Sequence, residues 1–430
     1  MAALAADTIV ALSSGAPPAA IGIIRLSGPD AFAVAAAVAG PLPAPREAVL
    51  RGLRGHDGML LDRALVLAFA APATATGEDL VEFHCHGGRA VVAAVEAALL
   101  RHARVRRAEP GEFTRRALAA GRIDLAQAEG LGDLLAAETE TQRRAAMATA
   151  EGAISRAVTG WTRRLVVLAA QVEAAIDFSD EDDVAVDLTG VTADGIALAD
   201  EMAALLDAPT IERLRDGIRI VLAGAPNTGK STLLNALVER EAAIVSPISG
   251  TTRDRIEIPV ARDGIAYVFT DTAGLRDTSD DPIELIGIDR ARDAIEAADI
   301  VLWLDDAPPP ANANALPIHA RVDMPERKSP PSGRLVVSAA TGEGIIALWH
   351  ALAARATALL PRLDQPVLNQ RQRDLCRLAY DELAVIGDVH DPLIVAERLR
   401  RARVALDRIT GRAGTEDMLD ALFSRFCIGK

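Results

Sequence analysis

The sequence of 430 residues predicts a multidomain chain, α/β plus all-α: an N-terminal α+β domain, then a helical domain into which a P-loop α/β domain is inserted. Three observations predict it. A phosphate-cradling pattern, Gly224-Ala-Pro-Asn-Thr-Gly229-Lys230-Ser231, follows the apolar run Ile218 to Ala223 and precedes a helical stretch, Thr232 to Val238. Helix-period stretches flank this central region on both sides, each too thin to bury an amphipathic face alone. The N-terminal part mixes short strand-like runs with helices, and at ~150 residues per domain the length suits about two to four domains.

Residues 1–118 form the first predicted domain, with strands at Ile21 to Leu26, Ala64 to Phe69 and Leu80 to Phe83 and a helix over Ala90 to Leu100. From Leu125 the pattern turns helical, with Leu125, Ala128, Leu131 and Leu135 at i, i+3/i+4 spacing, so residues 119–215 are the first part of the helical domain. Residues 216–360 alternate strands and helices and include a hairpin, Ile256 to Thr270, turned at Asp263-Gly264. Residues 361–430 return to helix as the second part of the helical domain. Pro308 to Pro310 and Lys328 to Ser332 read as loops, and no repeat of fixed period is present.

Half of the residues are apolar but only 3% are aromatic, so aliphatic side chains and alanine must fill the cores. With 60 carboxylates against 46 Lys plus Arg, a net charge of -14, the chain cannot coat nucleic acid; an RNA contact must use a local basic patch or a partner's surface. Cys85, Cys376 and Cys427 are odd in number and far apart, which argues against a disulfide framework and for a reducing, cytoplasmic setting. The uncharged stretch Thr8 to Ile24 lacks a basic flank and is broken by Ser13-Ser14-Gly15 and Pro17-Pro18, so no targeting or membrane segment is expected.

The phosphate loop is followed by three more pieces in the order a GTPase needs. In the loop itself, backbone N–H groups from Asn227, Thr228, Gly229 and onward to Thr232 wrap phosphates, Lys230 faces the β/γ oxygens, and Ser231 is a Mg²⁺ ligand. Gly250-Thr251-Thr252-Arg253-Asp254 supplies Thr252 for Mg²⁺ and the γ-phosphate. Asp271-Thr272-Ala273-Gly274 supplies an aspartate behind the metal and a glycine N–H that senses that phosphate; Ser338-Ala339, after an apolar strand, stands where a base-stabilising loop belongs.

Two positions depart from the usual pattern. The guanine-reading N-K-x-D motif is replaced by Ala320-Arg321-Val322-Asp323; Asp323 can still accept from guanine N1–H and N2–H₂, so guanine preference with reduced affinity is expected. The residue after Gly274, where Ras-like enzymes place a water-orienting Gln, is Leu275, which neither donates nor accepts. Asp277, Asp280, Asp281 and Glu284 are carboxylate candidates for that task, with solvation of a loop as the alternative. His84-Cys85-His86 is a poor zinc site, because neighbours on a strand point to opposite faces, and Asp177 to Asp183 reads better as a solvated loop than as a divalent site.

With these motifs placed, the chain resembles the MnmE (TrmE) family of tRNA-modifying GTPases, one of the TrmE-Era-EngA-like GTPases. Outside the central domain the resemblance rests on Phe426-Cys427-Ile428-Gly429-Lys430, Ile21-Gly-Ile-Ile-Arg25-Leu-Ser-Gly28, Gly77-Glu-Asp, His86-Gly-Gly88, Pro110-Gly-Glu-Phe113 and Asp124-Leu-Ala-Gln-Ala-Glu129. It implies an N-terminal folate-binding and dimerising domain, a helical domain and an inserted Ras-like G domain. It also implies a homodimer that forms a heterotetramer with an FAD-dependent partner, MnmG. Together they act on C5 of the wobble uridine of certain tRNAs, adding an aminomethyl or carboxymethylaminomethyl group with a tetrahydrofolate one-carbon donor.

The same resemblance assigns the folate, as a 5-formyl or 5,10-methylene derivative, to Arg25, Glu82, Arg122 and Lys430; Arg and Lys suit its carboxylates and a carboxylate suits its pterin donors. It assigns K⁺ to Asn227, Ser246, Ile248 and Thr251, and places Ser246, Pro247, Ile248, Ser249 and Gly250 with the GTP-binding residues. Glu284 matches the catalytic glutamate that orients water through a bridge, although one residue is inserted between it and Asp271. Cys427 either activates C6 of uridine as a thiolate, positions the folate, or is a buried structural cysteine. The competing function is a regulatory GTPase of the Era or Der kind acting in ribosome assembly; that would call for a basic RNA-binding module, and neither a GXXG loop in a basic context nor a positive tail is present.

Overall fold

The structure, a computed structural model, describes residues 7–177, 187–239, 257–271, 292–310, 314–327, 329–362, 365–412, 422–423, 426 and 428–429. The chain divides into two compact units, residues 1–132 with 406–430, and residues 133–405.

The first unit is built on β1 (Thr8–Leu12), β2 (Ile21–Ser27), α1 (Ala31–Ala39), β3 (Val49–Arg54), β4 (Leu60–Phe69), β5 (Leu80–His86), α2 (Arg89–Leu100), β6 (Val105–Arg107), α3 (Glu112–Ala119) and the start of α4 (Leu125–Ala136). Its six-stranded sheet has the order β3-β4-β5-β2-β1-β6, antiparallel throughout except for the parallel β1–β6 pair. Strand periodicity divides the side chains between two faces. Val10, Ile24, Leu26, Val66, Phe83 and Cys85 point into a core shared with Val34, Val95 and Leu99 of α1 and α2. The opposite face carries the cross-strand pairs Leu50–Leu65 and Arg25–Glu82.

The sequence-predicted strands are longer here, since β4 begins at Leu60 and β5 runs on to His86. Three strands carried too weak a pattern to be read. β6 has only three residues, β3 is an edge strand interrupted by Gly52 and Arg51, and β1 lay inside the uncharged stretch. In α4, Leu125 and Ala128 are buried as the helical stripe requires, but Leu135 is 44% exposed, so the stripe does not extend to the end of the helix.

In the second unit, α5 (Glu140–Ala150), α6 (Ala153–Asp177), α7 (Thr189–Leu206) and α8 (Ile211–Asp216) precede the central sheet. That sheet comprises β7 (Ile218–Ala223), β8 (Glu257–Arg262), β9 (Ile265–Asp271), β10 (Ile300–Trp303), β11 (Ala315–Ala320) and β12 (Leu335–Val337), with α9 (Lys230–Glu239) and α10 (Ile345–Leu359) packed on it. The helices α11 (Gln370–Ala384) and α12 (Pro392–Ile409) follow. Capping boxes start α5 at Thr139 with Gln142, and α11 at Asn369 with Gln372. Leu165, Leu168, Val172, Leu198, Met202, Cys376, Leu383, Val395 and Leu399 are buried apolar positions of these helices.

The order of the central sheet is β12-β11-β10-β7-β9-β8, parallel except for the antiparallel β8. The β8–β9 hairpin turns at Asp263 and Gly264 with φ of 50° and 79°, the two positive values that a tight hairpin turn needs. Ile220, Leu222, Leu237, Tyr267, Phe269, Leu302, Ile318 and Trp349 form the core. Such a sheet presents ligands to the carboxyl ends of its strands. Here the ends of β7, β9, β10, β11 and β12 carry residues 224–231, 271, 305, 320–323 and 338.

Candidate functional site

A cavity of about 640 Å³ opens at those strand ends. One end is lined by Asn227, Gly229, Lys230, Ser231 and Thr232, the other by Ala320, Arg321, Asp323, Met324 and Ala339. The phosphate loop leaves β7 through Gly224 (φ 147°) and enters α9 through Gly229 (φ 95°), both outside the range of ordinary side chains. A Cβ on Gly224 would also lie 3.0 Å from the Asp305 nitrogen. Thr228 Oγ1 donates to the Ala225 carbonyl at 2.9 Å and closes the turn.

Lys230 is 7% exposed, and its ammonium donates to the carbonyls of Gly224 (3.0 Å) and Ala225 (2.9 Å). A buried ammonium must have such partners. Ser231 Oγ donates to Asp271 Oδ2 at 2.6 Å, so the hydroxyl at the start of α9 and the carboxylate at the end of β9 meet where the sequence places Mg²⁺. Two hard oxygens on rigid elements suit that ion.

At the other end, Ser338 is fully buried and donates to Asp323 Oδ1 at 2.6 Å, while its oxygen accepts from the Thr341 N–H at 3.1 Å. Asp323 is thereby held as an oriented acceptor. Arg321, in the place of the usual lysine, has a φ of 63° and donates to the Asn227 carbonyl at 2.9 Å. Its aliphatic stem lies over Gly229, where an added Cβ would come 3.3 Å from Arg321 Cγ.

Three further residues shape the site and were not singled out in the sequence. Asp305, after β10, accepts from the Ala225 N–H at 3.0 Å and fixes the phosphate loop. Arg327 donates to the Ala320 carbonyl at 2.9 Å and pairs with both oxygens of Asp306 at 2.9 and 3.0 Å, which holds the Asp306 carboxyl below its ordinary pKa. His319, 4% exposed, receives an Arg327 N–H at Nδ1 (3.1 Å) and contacts the Arg327 carbonyl through Nε2 (2.8 Å). Since guanidinium only donates, the proton sits on Nε2. The acidic Asp305-Asp306 pair after an apolar strand was the one signal for this cluster.

In the first unit, Arg25 donates to Glu82 Oε1 through Nε (3.1 Å) and Nη2 (2.8 Å), and its guanidinium lies 5.6 Å from the Phe113 ring centroid. Glu82 Oε2 contacts His84 Nε2 at 3.3 Å. Arg122 donates to the Thr74 carbonyl at 3.1 Å. The pair is partly open, with side chains 24% and 17% exposed, and an arginine beside a carboxylate suits a ligand bearing both acceptors and donors.

Ile428 bridges to Pro110, Gly429 accepts from Ser13 Oγ at 2.8 Å, and Phe426 packs on Gly132. Of the neighbours of Cys427, Ile428 is thereby held on the segment that also carries Phe113. Gly77-Glu78-Asp79 has a structural role: Glu78 joins Arg116, Asp7, Glu112 and Arg106 in a partly buried ionic cluster, and Asp79 accepts the Ala71 N–H at 2.9 Å. Burial drives the Cys85 thiol up to about 12, and His86 turns away to Asp62 at 2.7 Å.

The remaining sequence-predicted site residues lie outside the described residues: Ser246, Pro247, Ile248, Ser249, Gly250, Thr251, Thr252, Thr272, Ala273, Gly274, Glu284, Cys427 and Lys430. No helix among the described residues is long and apolar enough to cross a membrane.

The family model described as the MnmE helical domain matches residues 125–427, and that of the GTP-binding protein TrmE N-terminus matches residues 8–122. A protein of Erythrobacter litoralis named tRNA modification GTPase MnmE is 57% identical over 99% of this chain and 100% of its own length. Proteins of the same name from Rhizorhabdus wittichii and Novosphingobium aromaticivorans are 55% and 54% identical, over 100% and 99% of this chain and 98% and 100% of theirs.

Proposed function

Because the chain belongs to the MnmE family of tRNA modification GTPases, we propose that it hydrolyses GTP in the cavity between Lys230 and Asp323 to drive the modification of C5 of the wobble uridine in certain tRNAs. The observation that carries this reading is the 2.6 Å contact between Ser231 and Asp271 beside the buried Lys230. Phosphoryl transfer asks mainly for positioning and charge neutralisation, and these three groups supply both. The ribosome-assembly alternative is not favoured, because the family match extends over the N-terminal and helical regions.

In this reading the Lys230 ammonium exchanges the Gly224 and Ala225 carbonyls for the β/γ oxygens of GTP. Ser231 and Thr252 hold Mg²⁺, with Asp271 behind it, and Asn227, Ser246, Ile248 and Thr251 hold K⁺. These ions, when bound, neutralise charge that develops on the transferring phosphoryl group. Asp323, oriented by Ser338, accepts from guanine, and Glu284 orients water in place of the usual Gln. Arg25, Glu82, Arg122 and Lys430 hold a tetrahydrofolate derivative, and Cys427 serves the modification, as a thiolate on C6 of the uridine or by positioning the folate.

The working form is a cytoplasmic homodimer joined to an FAD-dependent MnmG-like partner. Its domains are a folate-binding and dimerising domain over 1–118, a helical domain over 119–215 and 361–430, and a G domain over 216–360. The test is GTP turnover in K⁺ against Na⁺ at equal ionic strength. Faster turnover in K⁺ is expected, and equal rates would remove the assigned K⁺ role.

A further inference from the structure

The charge of this chain is unevenly spread. Residues 1–132 hold 13 arginines against 13 carboxylates, so the net charge of -14 resides in residues 133–430. Within the neutral part, Arg101-His-Ala-Arg104-Val-Arg106-Arg107 places four arginines in seven residues, and no carboxylate lies between Glu96 and Glu109. An acidic chain needs such a local basic patch for an RNA contact.

The run covers the end of α2, a turn and the edge strand β6. The backbone of the turn is fixed: the Val105 N–H donates to the His102 carbonyl at 3.0 Å, and the Arg104 carbonyl accepts the Thr8 N–H at 2.9 Å. Arg106 is committed to Asp7 and Glu112. Arg101 and Arg104 are exposed, and neither guanidinium has a carboxylate partner among the described residues. Arg107 meets Glu96 at 3.4 Å, but its side chain is 70% exposed, and so open a pair is weak. A cation after the last turn of α2 suits the helix dipole, and charge on an edge strand discourages pairing with another sheet. Neither effect calls for three open arginines in seven residues.

Three residues beyond Arg107, Pro110 bridges to Ile428, the neighbour of Cys427 in sequence. Three residues of extended chain span at most about 11 Å, so a polynucleotide held at Arg107 passes close to that segment. Resting on the reading of this chain as acting on tRNA, we propose that Arg101, Arg104 and Arg107 form a docking surface for the phosphate backbone of the tRNA. Guanidinium forks match phosphate oxygens in pairs, and such contacts position the nucleic acid without reading its sequence.

The experiment is a fluorescence-polarisation titration of the full chain with unmodified tRNA, from about 50 to about 200 mM KCl. It compares the unaltered chain with Arg101→Gln/Arg104→Gln, with Arg101→Lys/Arg104→Lys, and with Arg400→Gln/Arg401→Gln, the same charge change at two exposed positions of α12. In Arg101→Gln/Arg104→Gln the affinity at the lowest salt should fall about tenfold, and the slope of log K against log salt should lessen by about 1.5, the share of two phosphate contacts. The lysine variant should restore both, and the α12 variant should leave the slope as it was. Unchanged affinity and slope in Arg101→Gln/Arg104→Gln overturn the inference while the tRNA reading stands. An equal change in the α12 variant also overturns it, because the effect is then one of net charge. Absence of tRNA binding by the unaltered chain overturns the tRNA reading itself, and the docking surface with it.

Discussion

Replacing Ser338 with Ala isolates the device that aims Asp323. Ser338 Oγ makes two bonds, to Asp323 Oδ1 at 2.6 Å and from the Thr341 N–H at 3.1 Å, in a fully buried position. A hydrogen bond to a charged group is worth about 1.5–3 kcal/mol, and Asp323 opens on the cavity, where water replaces part of it; a stability loss near ~1.5 kcal/mol follows. With the base bound, water is excluded and the misaligned carboxylate meets guanine poorly, a further ~1 kcal/mol, or about a fivefold loss of GDP affinity. Calorimetric titration with GDP and with pyrophosphate separates the two ends of the cavity. Pyrophosphate binding at Lys230 should be unchanged. A GDP affinity unchanged within about twofold in Ser338→Ala would refute the argument that Ser338 orients Asp323.

The first unit yields two further predictions. Burial opposes ionisation of Glu112, but Arg106 and Arg116 together with the Glu109 N–H hold its carboxyl below the ordinary value of 4.5. Its contribution is thus complete above that ordinary value and is lost as pH falls through the lower folded one. Thermal melting between neutral pH and about pH 3 should show this acid loss, and Glu112→Gln should flatten the acid limb while lowering stability at neutral pH by ~3 kcal/mol, the cost of leaving buried Arg116 short of a partner. Arg25→Ala should abolish binding of 5-formyl-tetrahydrofolate, read by fluorescence titration, with GTP turnover unchanged; retained folate affinity would remove Arg25 from that site.

The central domain was legible because its signals are local. The phosphate loop must be a strand, a glycine-rich turn and a helix in immediate succession, and Asp263-Gly264 names its own turn. Asp305, His319 and Arg327 act through tertiary contacts between strand ends, and their residue types carry no periodic mark. The departure Ala320-Arg321 was visible in the sequence, but that Arg321 would bond the Asn227 carbonyl depends on a left-handed backbone that only the fold reveals. In the first unit, the facing of Arg25 and Glu82 follows from the β2–β5 register, which no sequence pattern specifies. Short or edge strands such as β6 and β3 escape for the opposite reason, having too few alternating apolar residues to register a period.

We propose that the cavity between Lys230 and Asp323 hydrolyses GTP and selects it through Asp323. Phosphate release from GTP and from ATP, side by side with Mg²⁺ and K⁺ and repeated for Asp323→Ala, tests it most directly. The expected kcat/KM for GTP is about a hundredfold above that for ATP, with the preference collapsing in the variant, because adenine offers no N1–H or N2–H₂ to the carboxylate. Equal turnover of GTP and ATP by the unaltered chain would contradict it.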